Sequence, residues 1–431
     1  MSPRPLRWGG QNKYDITLAE DNNSLDEVVV VGYGTMKKSD ISGSSVSLGE
    51  KAMKGSIITS LDQSLQGRAA GVTAVSTSGA PGTASTIRVR GTATINSNAE
   101  PLYVIDGVIF QGGSTSGSGL GFGDKLDNGS ASSVSPLSTI NPADIVSMEI
   151  LKDASATAIY GAQGANGVVL ITTKRGTDAK PVVSLTANWQ WSSPTRGDTY
   201  LNSYDSVRLL EEALANDGQP SQYNAHDIEM FRKSCAGELS GDDALLYPNV
   251  DWYDAVLRNS APAQRYNVNI QGGTKRMRYF VSAEYYDQQG LFKNFSEDQY
   301  GNKSNQSYNR IGFRANLDFL LTQDLTVSVN FGTRFEERKG PNSNEAFDGS
   351  YSQTFYNLNH TPGWLFPVSY QLRNDDGTVR NLYAGSSQYQ DNPVARLAKA
   401  GFYRATNTIN ETNFIANYKM DWLTPGLSAR A

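Results

Sequence analysis

A single cysteine, Cys235, in 431 residues leaves no partner for an intrachain disulfide. The two histidines, His226 and His360, lie far apart and in no metal-ligand spacing. Neither marks a catalytic or metal centre, and the sequence supports neither an enzyme nor a bound cofactor. Positive charge is not in excess: Lys+Arg 38 against Asp+Glu 43 gives a net charge of −5, which argues against a nucleic-acid surface. No apolar run approaches the ~20 residues of a membrane helix, although alternating membrane strands escape that test. Residues 1–10, MSPRPLRWGG, hold no apolar core of a secretory leader.

What the chain does have is Gly 41, Tyr 22 and many Asn and Ser, a composition of strands and loops. Its length suits two or more domains or one large β structure. Near the front, four valines stand together in Leu25-Asp26-Glu27-Val28-Val29-Val30-Val31-Gly32-Tyr33-Gly34. β-branched residues in succession favour an extended backbone, and the glycines end it. Three readings compete. The run is a buried strand of its own domain, the opening of a dinucleotide fold, or a strand that adds to another protein's sheet edge. The second fails because Lys37 stands where the third glycine of the fingerprint belongs, and Ser39 to Ser47 has no helical pattern.

Residues 41–176 read as compact α/β. Strands are expected at Thr86–Gly91, Pro101–Gly107, Val146–Leu151 and Val168–Thr173. Asp106-Gly107 signals a tight turn, Asn141-Pro142-Ala143-Asp144 a helix start, and Ala154–Tyr160 a short helix. Lys152 and Asp153 read as fold-fixing polar groups. Asp124–Gly129 faintly suggests a calcium loop, but Leu126 occupies a ligand position, so it reads as loop. The stretch between Gly107 and Asn141 is long for a compact domain and is either functional or disordered.

From 181 onward apolar and polar residues alternate in six stretches. Val183, Leu185, Ala187, Trp189 and Trp191 share one face of the first. Tyr266, Val268 and Ile270 mark the second, and Met277 to Tyr285 the third. Ile311, Phe313, Ala315, Leu317 and Phe319 alternate with Arg310, Arg314 and Asp318 in the fourth. Leu325 to Phe335 and Phe414 to Met420 complete the set. Alternation alone also fits a soluble β-sandwich. The connections discriminate, because tight turns at 272–275, 321–324 and 423–426 alternate with long excursions at 192–263, 289–307 and 337–405. Short turns on one side and long loops on the other is how membrane barrels are built. Arg310, Arg314 and Asp318 are then expected to face inward, and Ile311, Phe313 and Phe319 to face lipid. Tyr204–Asn216 reads as an amphipathic helix in the first long loop.

Several motifs carry a resemblance: Ser64-Leu65-Gln66-Gly67-Arg68, Arg88-Val89-Arg90-Gly91, Tyr103-Val104-Ile105-Asp106-Gly107 and Ile150-Leu151-Lys152-Asp153-Ala154. Ile159-Tyr160-Gly161, Gly164-Ala165-Asn166-Gly167 and Thr172-Thr173-Lys174-Arg175-Gly176 follow in order. Together with the valine run they resemble the SusC/RagA-type TonB-dependent outer-membrane transporters. The resemblance implies an α/β plug domain followed by the antiparallel strands of a transmembrane β-barrel, incomplete at 6–7 of about 22 strands. Residues 1–24 would be the remnant of a preceding small β-sandwich domain (its last strand at Tyr14–Leu18) and a linker. Residues 25–40 would hold the TonB box and linker, 41–178 the plug, and 179–431 the first part of the barrel.

The family further implies TonB-dependent import of a large nutrient, usually a glycan oligosaccharide, across a Gram-negative outer membrane. The implied partners are TonB with its inner-membrane energising complex, a SusD-like surface lipoprotein, the oligosaccharide and outer-membrane lipid. Asp26, Glu27, Val28, Val29, Val30 and Val31 would pair with TonB. Trp252, Trp364 and Phe366, with Tyr253, Tyr351 and Tyr356 on the same loops, are aromatic candidates for sugar stacking; loop packing or lipoprotein contact is the competing role. Within transport the alternative is a siderophore, vitamin or peptide receptor; outside it, a secreted β-rich adhesin or carbohydrate-binding protein. An open strand edge leaves unpaired groups in hydrocarbon, so truncation at the C-terminus is expected, and the missing secretory leader implies truncation at the N-terminus too.

Overall fold

Val168-Val169-Leu170-Ile171 has four apolar residues in succession because both faces of its strand are covered. Val169 and Ile171 pack with Leu48, Ile87, Tyr103, Met148 and Ile150 on one side. Val168 and Leu170 meet Val104 and Leu151 on the other. Each fully buried aliphatic side chain contributes roughly 1.5–3 kcal/mol. The computed structural model describes residues 28–31, 34–37, 45–49, 65, 67–76, 79–82, 85–91, 100–110, 140–195, 199–295, 305–341, 349–377, 379–399 and 401–431.

The first strands in chain order are β1 (Val28–Val31), β2 (Gly34–Lys37), β3 (Ser45–Gly49), β4 (Val72–Ser76) and β5 (Ser85–Val89). They are followed by β6 (Leu102–Ile105), β7 (Val108–Phe110), β8 (Ile145–Leu151) and β9 (Val168–Thr173). One sheet runs β3-β8-β9-β6-β7, with β6 and β9 parallel; β4 pairs with β5, and β1 with β2. Asp106 (φ 51°) and Gly107 (φ 84°) make the tight β6–β7 turn that the Asp-Gly pair signalled. Asn141 caps a 3₁₀ turn at Pro142–Asp144, accepting from the Ala143 N–H at 3.0 Å. The expected helix at 154–160 divides. An α-turn spans Ala154–Thr157, and 3₁₀ structure over Ala158–Gly164 is broken at Gly161, whose φ is 58°. Lys152 bonds the Ala70 carbonyl and Asp153 pairs with Arg90, the fixing roles expected of them. Tyr14–Leu18, the loop over 111–130 and Asp124–Gly129 lie outside the described residues.

Beyond the plug come β10 (Val182–Ser192), β11 (Ala261–Gly273), β12 (Met277–Gln289), β13 (Ser307–Leu320) and β14 (Leu325–Pro341). In the loop after β14, β15 (Tyr370–Arg373) pairs with β16 (Val379–Leu382); then come β17 (Phe402–Lys419) and β18 (Ser428–Arg430). Strands β10-β11-β12-β13-β14-β17-β18 form one antiparallel sheet of seven, open at both edges. All six stripes became strands, and the residues after Leu427 pair as a seventh. β14 and β17 are longer than expected: they continue as a paired ribbon to Pro341 opposite Phe402, where proline withholds a donor. The third long connection is therefore 342–401. The faces divide as the alternation required. Arg310 is 2% exposed on the inner face, whereas its neighbour Ile311 is 54% exposed on the outer face.

Candidate functional site

The site is the seam where the plug sits on the inner face of the wall. Adjacent strands place inner-face residues in rows. Ser282, Arg314, Gly332 and Glu411 stand side by side on β12, β13, β14 and β17. One row further out lie Glu284, Gly312, Arg334 and Ile409.

Plug residues meet these rows at three heights. Near the short turns, Asp106 accepts from the Thr173 backbone N–H at 2.9 Å and from the Thr173 hydroxyl at 2.6 Å. Asn316 of the wall donates to that hydroxyl at 2.8 Å and to the Lys174 carbonyl at 2.7 Å. Arg175 donates to Asp318 at 2.8 Å, and Ser328 donates to the same carboxylate oxygen at 2.5 Å. Midway, Ser282 donates to buried Asp144 at 2.7 Å. At the outer end, the Gly82 N–H donates to Gln288 at 3.2 Å, and Arg338 bonds the Gly82 carbonyl.

Two glycines permit these approaches. Gly82 has φ +71°, and a Cβ there would overlap the Tyr308 ring. Gly176, where the chain leaves the plug, presses on wall backbone; a Cβ would overlap the N and O of Tyr279 and the O of Gly272.

The wall beneath is charged and buried. Glu284 accepts from Arg310 at 2.8 Å and lies 3.1 Å from Arg265; Arg334 lies 3.2 Å from Glu336. Arg314 reaches across Gly332 toward Glu411, 3.9 Å away. Such pairs stabilise little over an apolar wall but are costly to break singly. Burial pushes the Asp144 carboxyl up from 3.8 to about 6, opposed by the Ser282 hydrogen bond and by Arg314.

The expected site residues fall elsewhere. Val28–Val31 are extended, as the valine run required, and pair within the chain to Gly34–Lys37. Asp26 and Glu27 lie outside the described residues. Trp252 and Phe366, each 3% exposed, pack at 5.6 Å between ring centroids in a core shared by the long loops, with Val256, Phe292, Leu358 and Leu397. Both rings pack inside that loop core. Trp364 is half-buried and Tyr356 is exposed. The helix expected at 204–216 spans Ser203–Asn216. The sequence had marked Asp144 only as part of a helix start, and gave Ser282 and Asn316 no more than the parity of their strands. Their pairing across the seam had no local signal.

Residues 37–168 match the TonB-dependent receptor plug domain. The chain is 37% identical over 386 residues to TonB-dependent receptor P26 of Formosa agariphila, covering 88% of this chain and 34% of that one. It is 29% identical over 420 residues to TonB-dependent receptor SusC of Bacteroides thetaiotaomicron, covering 95% and 36%. The chain thus spans about a third of the length of these relatives. Its fold superposes on the RagAB peptide importer in the "open-open" state with a TM-score of 0.66 at 23% identity, covering 91% of this chain and 40% of that one. An α/β plug hydrogen-bonded to a wall of sequential antiparallel strands, with these relatives matching 88–95% of its length, places the chain in the SusC/RagA-type family of TonB-dependent transporters.

Proposed function

We propose that this chain supplies the plug and first wall strands of an outer-membrane importer that takes up a large nutrient with energy delivered through TonB. The observation that carries the reading is the polar seam. The plug is held to the wall by separable hydrogen bonds, Ser282–Asp144 and Asn316–Thr173 among them, so a pull can remodel it without tearing an apolar core. The pull would arrive through Val28–Val31, whose backbone can pair with a strand edge of TonB. A few backbone hydrogen bonds at about 0.5–1.5 kcal/mol each give a reversible grip.

The cargo we propose is a glycan oligosaccharide, with a peptide as the competing cargo, delivered beneath a SusD-like surface lipoprotein. The loop core around Trp252 supports a rigid outer platform for such a partner. The test is Val30→Pro, which removes a ladder donor. Uptake of labelled oligosaccharide should be lost while outer-membrane insertion is unchanged. Uptake at the wild-type rate would remove the TonB-box assignment, and uptake of peptide alone would replace the cargo.

A further inference from the structure

The valine strand does not stand alone. Val28–Val31 pairs antiparallel with Gly34–Lys37, in the register Val28 to Lys37, Val29 to Met36, Val30 to Thr35 and Val31 to Gly34. Two residues separate the strands in sequence. The pair that closes a two-residue connection must be a hydrogen-bonded one, because the other pattern would bond the two connecting residues to each other. Alternation along an antiparallel ladder assigns the rest. Val31 with Gly34 and Val29 with Met36 are hydrogen-bonded pairs; Val30 with Thr35 and Val28 with Lys37 are not. The N–H and C=O groups of Val28 and Val30 therefore point away from β2. Among the described residues β1 and β2 form a sheet of two, joined to no other strand. β1 is thus an open edge, with its free backbone groups at Val28 and Val30.

An isolated two-stranded hairpin is marginally stable at best in water, and a third strand is what it lacks. Its two edges are not equivalent. β1 is a run of β-branched residues, the type that strands favour. β2 begins with glycine and runs into Lys37-Lys38, and lysine on an edge discourages pairing. The side open to a new strand is that of β1.

We propose that the element TonB grips is the whole hairpin, Val28–Lys37, with a TonB strand added to the Val28/Val30 edge while β2 stays paired. This rests on the import reading above and extends it to the geometry of the partner. Val28 and Val30 give their backbone groups to TonB, whereas Val29 and Val31 keep theirs in the hairpin. The valine run is held extended before TonB arrives, so its ordering entropy is met within the chain and not at the encounter. Gly34–Lys37 acquires a role in docking, as the template that keeps β1 straight. The opposite arrangement, in which TonB displaces β2, makes the hairpin a lock, and the two differ in the sign of every effect below.

The test is binding of the full-length protein in detergent to the purified periplasmic domain of TonB. β1 and β2 belong to neither the plug sheet nor the wall, so the variants interrupt neither. Val30→Pro removes an outward donor and should abolish binding. Met36→Pro removes the donor to the Val29 carbonyl and opens the hairpin without altering β1. Affinity should fall about tenfold, the equivalent of ordering one residue. Thr35→Pro removes only an outward donor of β2 and should bind as the unaltered protein does. Val28→Cys with Lys37→Cys spans a non-hydrogen-bonded pair, where the Cα atoms are close enough for a disulfide; Cys235→Ser removes the thiol already in the chain. The oxidised form should bind at least as tightly as the reduced one. Tighter binding by Met36→Pro, or loss of binding on oxidation, would overturn the proposal in favour of a lock. Wild-type affinity in Met36→Pro, with Val30→Pro inactive, would overturn it by leaving β2 no part in docking. Wild-type affinity in Val30→Pro would instead strike the TonB-box assignment itself, and the hairpin proposal with it.

Discussion

Ser282 on the wall donates its hydroxyl hydrogen to Asp144 of the plug across 2.7 Å, at a point where both residues are almost wholly buried. Burial raises the Asp144 carboxyl to about 6 from its ordinary 3.8. A carboxyl raised on folding contributes stability that is fully present below its ordinary value and is lost as pH rises through the folded value. Plug seating should therefore be firmest near pH 4 and weaken through about pH 6, by about 3 kcal/mol at most. Urea-induced plug release in outer-membrane vesicles, followed by proteolysis at pH 5 and pH 8, checks this. Asp144→Asn should flatten the difference. An equal midpoint at both pH values in the unaltered protein would contradict the assignment.

Asn316 reaches two plug acceptors with one amide nitrogen, the Thr173 hydroxyl and the Lys174 carbonyl. Asn316→Ala should lower the urea midpoint for plug release by the equivalent of about 1–3 kcal/mol, since the Lys174 carbonyl is left without that donor in a part-buried place. The wall itself should be unaffected, which heat-modifiable migration of the folded protein on a gel would show.

Gly176 has no room for a side chain because fixed backbone, not a flexible neighbour, fills the space. Gly176→Val should cost more than the 1–3 kcal/mol typical of overpacking. Its readout is the fraction of protein that reaches the outer membrane in a protease-resistant form. A wild-type level would show that the plug exit can shift away from Tyr279.

Phe313 is 40% exposed on the outer face, 6.0 Å from Phe331 between ring centroids. Arginine there should destabilise by about 2–4 kcal/mol near the bilayer midplane, and less toward the interface. Folding of the protein into lipid vesicles measures it. No effect would mean that this face does not meet hydrocarbon.

Much of the fold was legible because period-2 alternation states directly which side chains share a face. Arg310, Arg314 and Ile311 fell where their parity placed them. Turn chemistry was legible for the same local reason: Asp106-Gly107 and the Asn141 cap needed only their own neighbours. The ends of β14 and β17 were not. Past Phe335 the outer residues turn polar, at Glu337 and Lys339 opposite Thr406 and Arg404, and the hydrophobic signal stops although the ladder continues. The sequence left Trp252 and Phe366 between sugar stacking and loop packing, because an aromatic residue in a loop looks the same whether its loop is bare or packed against another. Here three loops bury each other.

The sequence by itself determined the order of the wall strands, which residues of each stripe share a face, the short and long sides of the wall sheet and the family. All of these are local periodicities or ordered motifs, set by backbone geometry a few residues at a time. Only the tertiary structure decided which inward polar residue meets the plug, because Ser282 and Asp144 are separated by 138 positions and nothing local to either names the other. Burial is shared between two surfaces, and a surface acquires its partner only when both are folded and seated.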